Sequence, residues 1–444
     1  MIESARTAPE VKDGSFAVDL VVKGIGQLCT VHDPDLDDQD GSGPRRREGM
    51  SSLGIFDNAA LAVGAGKILA CGNEAEVLSS LFAGSVIPSS VEVIDAQGRS
   101  VIPGFVDPHT HTVFGRTRQD EYERRIQGET YLEIAAAGGG IHASVNDLRE
   151  RSEEDLADLA AVRLREMLAH GTTTVEIKSG YGLSPEAEYK MLRAAATAAG
   201  ETGIRLVRTC LAAHEVPREF RDDRQEYVRL ITEEILPRVA RDGLAERCDI
   251  FCEPSVFGLE ESLIILTRAR DLGMSLTVHA DELEPMGGAV LAARLGADSA
   301  DHLIMIDDQG RRALAGSSTV AVLLPGTVFT LGLKNYAPGR GMIDQGCAVA
   351  LASDFNPGSC PILSLPLVMS IACTQMRMTP AESLVGCTLN AAWALGRAAE
   401  VGSLAPGKNA DFIILDGPDY RLVPYRAGHN PVDSTFLGGK KVNP

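Results

Sequence analysis

The chain has 444 residues, 44% of them hydrophobic, and its 42 Lys and Arg against 61 Asp and Glu leave a formal net charge of -19. That is enough chain for one large domain and a smaller one, each with its own core. The acidic balance argues against nucleic acid or an anionic membrane as a partner, because both require clustered cations, and an anionic substrate would need a local cation of its own.

The nine cysteines include no Cys-x-x-Cys pair, the closest being Cys248 and Cys252, which predicts reduced thiols in the cytosol. The N-terminus carries charges where a signal peptide needs an apolar centre, and no apolar run approaches the roughly 20 residues of a membrane span. The expectation is a soluble, cytoplasmic protein.

Short strand-type runs fill the first hundred residues, "DLVVKG", "AALAVGAGKILACG" and "VEVIDA", separated by glycine and polar turns. Between them, His32 to Met50 has almost no apolar content and is expected to form a mobile loop, to which the sequence assigns no function. From Val101 onward, apolar runs alternate with Ala, Leu, Glu and Arg-rich segments of helical period, the pattern of parallel strands with crossover helices. Eight strand candidates can be read: "VIPGFVDPH", "TTTVEIKS", "RLVRTCLAAH", "CDIFCE", "SLTVHADE", "DSADHL", "STVAVLLPG" and "AVALASD". Eight such units predict an α/β fold, a (β/α)8 TIM-type barrel over residues 101–396, with its active site at the C-terminal strand ends. A doubly wound open sheet would need a glycine-rich nucleotide loop after the first strand, and "DPHTHTVFG" is not one. The last segment, "GSLAPGKNADFIILDG" with "STFLGGKKV", has the short-strand character of the first. A small β-sandwich domain built from residues 1–100 plus 397–444 is therefore expected.

The reactive residues fall at predicted strand ends. His109 and His111 end the first strand, His214 the third, His279 the fifth, His302 the sixth and Asp354 the eighth. Residues two apart in a strand share a face, so the rings of His109 and His111 can converge on one point. With His279 and Asp354 from across the barrel they make a set of three nitrogens and one oxygen, suited to Zn²⁺ or iron with a position left for water. Glu282, three residues beyond His279, is placed to carry protons between water and a leaving nitrogen. His302 is a candidate to orient water, to polarise an electrophile or to act as a fifth ligand. Strand four ends in "CDIFCEP" without a lysine, which favours one metal over a carbamate-bridged pair; Lys178, on strand two, would be an unusual bridge.

"PGFVDPHTH", "HADE", "ADHL" and "ASDFNPG" resemble the metal-dependent amidohydrolase superfamily, whose fold is a deformed (β/α)8 barrel beside a small β-sandwich. More narrowly, "VDPHTHTVFGRTRQDEYERRIQGETYLEIAAAGGGI", "EIKSGYGL", "CLAAHEVPREF" and "SDFNPGSCP" are similar to the imidazolonepropionase family, and the match runs through the whole barrel. The resemblance implies hydrolysis of 4-imidazolone-5-propanoate to N-formimidoyl-L-glutamate in histidine degradation, with one Zn²⁺ or iron ion per subunit of a homodimer. It places the metal ligands on His109, His111, His279 and Asp354. It places substrate contacts on Arg118, Tyr131, Tyr181, His214, Glu282, Asn356, Gly358 and Ser359. A bidentate guanidinium such as Arg118 suits the propionate of this anionic substrate, although Arg116 stands close enough to compete for that role. The proton steps are left among Asp354, Glu282 and His302. Two other readings stand beside this one: a cytosine- or guanine-type aminohydrolase, which shares "HADE" and "ADHL", and a non-enzymatic interaction protein on the same fold.

Overall fold

The computed structural model describes residues 6–7, 17–37, 43–129, 133–134 and 137–442. Eight parallel strands follow one another in chain order around a sheet: β1 (Phe105–Asp107), β2 (Thr172–Lys178), β3 (Arg205–Ala213), β4 (Arg247–Cys252), β5 (Ser275–Ala280), β6 (Ser299–His302), β7 (Val320–Leu323) and β8 (Val349–Leu351). Just past the ends of β1 and β8, Thr110 bridges Phe355 in parallel, so the first and last strands meet and the barrel nearly closes. The expected TIM-type barrel is present, with all eight strands where the apolar runs lie.

Every residue of β2, β6, β7 and β8 is buried, as strands covered on both faces must be. The crossover helices start and stop on local signals. Pro185–Thr202 has proline in its first turn, Glu186 and Glu188 where the helix dipole favours anions, and Gly203 beyond its end at φ 76°.

A second, nine-stranded mixed sheet draws on both ends of the chain: Leu20–Cys29, Ile55–Gly64 and Lys67–Asn73 lie on one side of Ser100–Pro103, and Phe412–Leu415 and Val432–Leu437 on the other. Alternation along its strands supplies two apolar clusters. Leu20, Val22, Ile25 and Leu28 pack with Phe412 and Phe436, whereas Val21 packs with Ala60, Ala62 and Val77. The chain divides into two compact units, Met1–Val106 with Met167–Thr174 and Ser364–Pro444, and Asp107–Glu166 with Val175–Leu363. No helix among the described residues is long and apolar enough to cross a membrane.

Two expectations need correction. The run from Val101 to His109 is two strands rather than one: Ser100–Pro103 pairs with Leu20–Cys29 and Phe412–Leu415 in the small sheet, and only Phe105–Asp107 belongs to the barrel. Gly104 separates them, and a Cβ there would lie 2.3 to 2.9 Å from side-chain atoms of Thr173, too close for any real contact. Gly104→Ala is therefore expected to cost about 1–3 kcal/mol of stability through overpacking, read as a lower midpoint in denaturant unfolding. The second correction concerns His32 to Met50. Its described parts are tied down rather than free: Arg45 is buried, its N–H donates to Asn390 Oδ1 (2.7 Å), and Asn390 Nδ2 donates back to the Arg45 carbonyl (2.9 Å). Polar composition misled because a backbone can be ordered by hydrogen bonds without apolar contacts; residues 38–42 lie outside the described set.

Candidate active site

The segment after β1 is stitched to its neighbours by backbone bonds. Asp354 N–H donates to the His109 carbonyl (3.1 Å), His111 N–H to that of Phe355 (2.8 Å), and Lys178 N–H to that of Thr110 (2.9 Å). These bonds anchor His109 and His111, whose rings lie edge to face with 5.3 Å between centroids. The ring of His279, from β5, lies 4.5 Å from that of His109. One nitrogen from each of His109, His111 and His279 falls within 4.8 Å of the other two. Asp354 Oδ1 is 3.5 Å from His109 Nε2 and 3.6 Å from His111 Nε2, and its Oδ2 accepts from Thr327 Oγ1 at 2.5 Å. All four residues are buried.

Carboxylates behind the rings set which nitrogen is available. Asp301 Oδ2 is hydrogen-bonded to His109 Nδ1 at 2.6 Å, which leaves Nε2 as that ring's free nitrogen, and Asp249 Oδ2 lies 2.9 Å from His279 Nδ1. His109 Nε2 is buried without a hydrogen-bond partner, an arrangement that costs free energy unless something else occupies the lone pair. Burial, then Lys178 and the neighbouring imidazoles, holds His109 well below the ordinary histidine range; burial, then His214 and His279, does the same for His111. Burial works against a charge on His279 too, but Asp249 outweighs it and raises that ring. Three imidazoles that bring one nitrogen each together beside a carboxylate fit a Zn²⁺ or Fe²⁺ ion. A second group, His109, His302 and Asp354, also brings its ligand atoms within 4.8 Å, so His302 stands at the edge of the same centre.

The two supporting carboxylates share a lysine. Lys178 Nζ sits 2.8 Å from Asp249 Oδ2, 2.9 Å from Glu176 Oε1 and 3.6 Å from Asp301 Oδ2, and all four side chains are essentially without solvent. Burial alone would neutralise Lys178, but these three carboxylates reverse the shift and raise its pKa.

Glu282 follows β5 in a turn built by other acids. Glu253 Oε1 accepts from the N–H of Glu282 (2.7 Å) and of Leu283 (3.1 Å), while Asp281, at φ 49°, accepts from the N–H groups of residues 286 to 289. Glu282 Oε1 then lies 3.5 Å from His302 Nδ1. Burial, then Asp354, raises its carboxyl to about 8. His302 and Asp354 both have positive φ, 74° and 54°, the kind of backbone strain that collects at functional sites.

Above the four ligand candidates opens a cavity of about 440 Å³. Tyr181, His214, Glu282, His302, Asp354, Asn356, Gly358, Ser359 and Arg118 all line it, and Arg116 does not, being exposed. His214 Nδ1 meets the Gly180 carbonyl at 3.0 Å, which makes it the donor and leaves Nε2 as an acceptor; burial, then His279, lowers this ring to about 3, so it stays neutral. Glu188 holds the Tyr181 loop by accepting from the N–H of Gly180, Gly182 and Leu183. Asn356 folds the loop that follows Asp354: its Oδ1 accepts from Gly358 and Ser359 N–H, both at 2.8 Å, and its Nδ2 donates to the Asp354 carbonyl and Ser359 Oγ. Tyr131 lies outside the described residues.

Reading the sequence missed Glu176, Asp249, Asp301, Glu253, Thr327 and Arg125, and noticed Lys178 only as a poor bridge. The available signal was charge inside strand patterns, "VEIK", "CDIF" and "ADH", where nothing but a buried partner could keep it.

The Amidohydrolase family matches at residues 92–140 and 115–442. The imidazolonepropionase of Symbiobacterium thermophilum is 46% identical over 426 residues, covering 96% of this chain and 97% of that one. The imidazolonepropionase of Geobacillus kaustophilus is 48% identical over 399 residues, 90% of this chain and 93% of that one. Among solved structures, a zinc-bound adenosine deaminase from Xanthomonas campestris superposes with a TM-score of 0.67 at 19% identity, covering 96% of this chain and 92% of that one, a likeness of fold.

Proposed function

The chain belongs to the amidohydrolases and, among them, to the imidazolonepropionase family, and on that footing we propose that His109, His111, His279 and Asp354 hold one metal ion beneath a pocket for 4-imidazolone-5-propanoate. The enzyme is a metal-dependent hydrolase of a cyclic amide carbon–nitrogen bond, acting on a small molecule with water. What supports the site assignment is one observation: His109, His111 and His279 each bring a ring nitrogen within 4.8 Å of the other two, and Asp354 Oδ1 lies 3.5 Å and 3.6 Å from Nε2 of His109 and His111. When bound, the metal supplies water activation near neutral pH and polarisation of the ring carbonyl.

The residues around it carry the rest. Water adds to the ring carbonyl carbon, the bond from that carbon to the ring nitrogen breaks, and the nitrogen leaves with a proton. Glu282, raised to about 8, is basic enough to take the proton of the attacking water and acidic enough to return it to the nitrogen. His302, 3.5 Å from Glu282, orients the attacking water. His214 offers a fixed acceptor to a ring N–H, the loop from Asn356 to Ser359 shapes the far wall, and Arg118 receives the propionate. The donor set accepts zinc or iron, and availability decides between them. A cytoplasmic homodimer is the further expectation.

The test is parallel assay of the purified enzyme for loss of 4-imidazolone-5-propanoate with formation of N-formimidoyl-L-glutamate, and for ammonia release from cytosine and guanine. Stoichiometric ring opening without ammonia from the nucleobases is the expected result. Ammonia release from a nucleobase with no ring opening would replace the proposal by the aminohydrolase reading.

A further inference from the structure

We infer that Arg125 is a second carboxylate-binding guanidinium of the pocket, working beside Arg118 to select an anionic arm. The inference rests on the proposed substrate and names a residue outside the set that the sequence resemblance assigns.

Arg118 precedes the helix Gln119–Ile126 and Arg125 lies in its last turn, and both line the cavity. Arg118 is largely committed: its Nε donates to Glu121 Oε1 (3.0 Å) and its Nη2 to Glu121 Oε2 (2.6 Å), a bidentate pair that leaves only the Nη1 edge for a ligand. Glu121 also accepts the Gly140 N–H, shared between its two oxygens at 3.2 and 3.3 Å. Arg125, one turn beyond Glu121, has no carboxylate partner among the described residues. Its Nη2 donates to the Gly358 carbonyl at 3.1 Å, and its other donors meet no acceptor among the described residues. Gly358 is where the two cations meet, because a Cβ at that position would lie 2.3 Å from Arg118 Nη1.

The local charge therefore does not close. Two guanidiniums, always protonated, converge on one loop with a single carboxylate between them. A cation half-buried beside another cation is disfavoured by desolvation and repulsion, and on Arg125 these two outweigh the attraction of Glu121. One hydrogen bond to a backbone carbonyl is small recompense. A carboxylate placed between the Arg118 Nη1 edge and Arg125 would restore balance and satisfy donors on both. The propionate arm has that charge, and the cavity connects this point to the metal-ligand candidates, since Arg118, Arg125, His111 and Asp354 line it together.

The experiment compares the full-length metal-loaded wild type with Arg125→Gln and Arg125→Lys. Two readouts are used: turnover of 4-imidazolone-5-propanoate, and competitive inhibition by imidazole-4-propanoate and by its carboxamide. Loss of one charged hydrogen bond predicts that Arg125→Gln raises KM about tenfold or more, well beyond its effect on kcat, with Arg125→Lys intermediate. The wild type should prefer the carboxylate inhibitor, and Arg125→Gln should lose most of that preference. If both inhibitors weaken by the same factor, or the preference is unchanged, Arg125 merely holds the Gly358 loop and the inference fails while the proposed function stands. If the wild type does not open the ring, the function fails and the inference with it.

Discussion

Replacing Glu282 by glutamine is expected to stop turnover while leaving the metal in place. The substitution keeps the shape of the side chain, and the backbone stays anchored because the Glu253 carboxylate bonds main-chain N–H groups rather than the Glu282 side chain. Glu282 is not among the four ligand candidates, so metal content should match the wild type. What is lost is the group proposed to accept and return the proton. Burial, then Asp354, raises this carboxyl to about 8, against an ordinary value of 4.5, and that shift allows one residue to serve both steps at neutral pH. Positioned acid–base groups contribute about 10²–10⁴ in rate, so kcat should fall by that factor with KM little changed. A variant that keeps a tenth of the wild-type kcat at full metal occupancy would move the proton role to His302 or Asp354.

The second large effect is expected from a residue that touches no substrate. Lys178→Met should both destabilise the fold and loosen the metal. The lysine is the cation shared by Asp249, Glu176 and Asp301, all of them buried, and removing one partner of a buried ion pair costs about 3–5 kcal/mol because it strands the other. Asp249 and Asp301 would then take up protons or shift, and they are the carboxylates that face the Nδ1 atoms of His279 and His109, two of the ligand candidates. Loss of such outer partners typically weakens metal affinity about 10–100-fold. Urea unfolding of the metal-free protein reads the first effect, and competition against a chelator of known affinity reads the second. If Lys178→Met unfolds earlier but binds metal as tightly as the wild type, the lysine serves the barrel core and not the rings.

How much of this was legible depends on the kind of constraint each residue obeys. The eight strands could be read because parallel strands buried on both faces are nearly continuous apolar runs, and the four ligand candidates because metal chemistry admits few residue types and the barrel places them at strand ends. The supporting charges were harder. Asp249 in "CDIF" and Asp301 in "ADHL" have no period of their own, and the partner that keeps them buried, Lys178, lies on another strand more than 70 residues away from either. Arg125 sits in "QDEYERRI", which reads as a solvated helix face; only the fold shows that Arg118 consumes the nearby Glu121 and leaves Arg125 facing the cavity. The break at Gly104 was invisible for a related reason. An apolar run reports burial but not which sheet it joins, and Ser100–Pro103 and Phe105–Asp107 are buried alike.

The central claim is that side chains from strand ends one, five and eight hold a single metal ion on which ring opening depends. Titrating the metal-stripped enzyme with Zn²⁺ or Fe²⁺ while following consumption of 4-imidazolone-5-propanoate tests it most directly. Activity should return in proportion to added metal and level off at one equivalent per chain, and His111→Ala should neither bind that equivalent nor recover. Full turnover by the stripped enzyme, or a plateau reached only at two equivalents, would contradict the account.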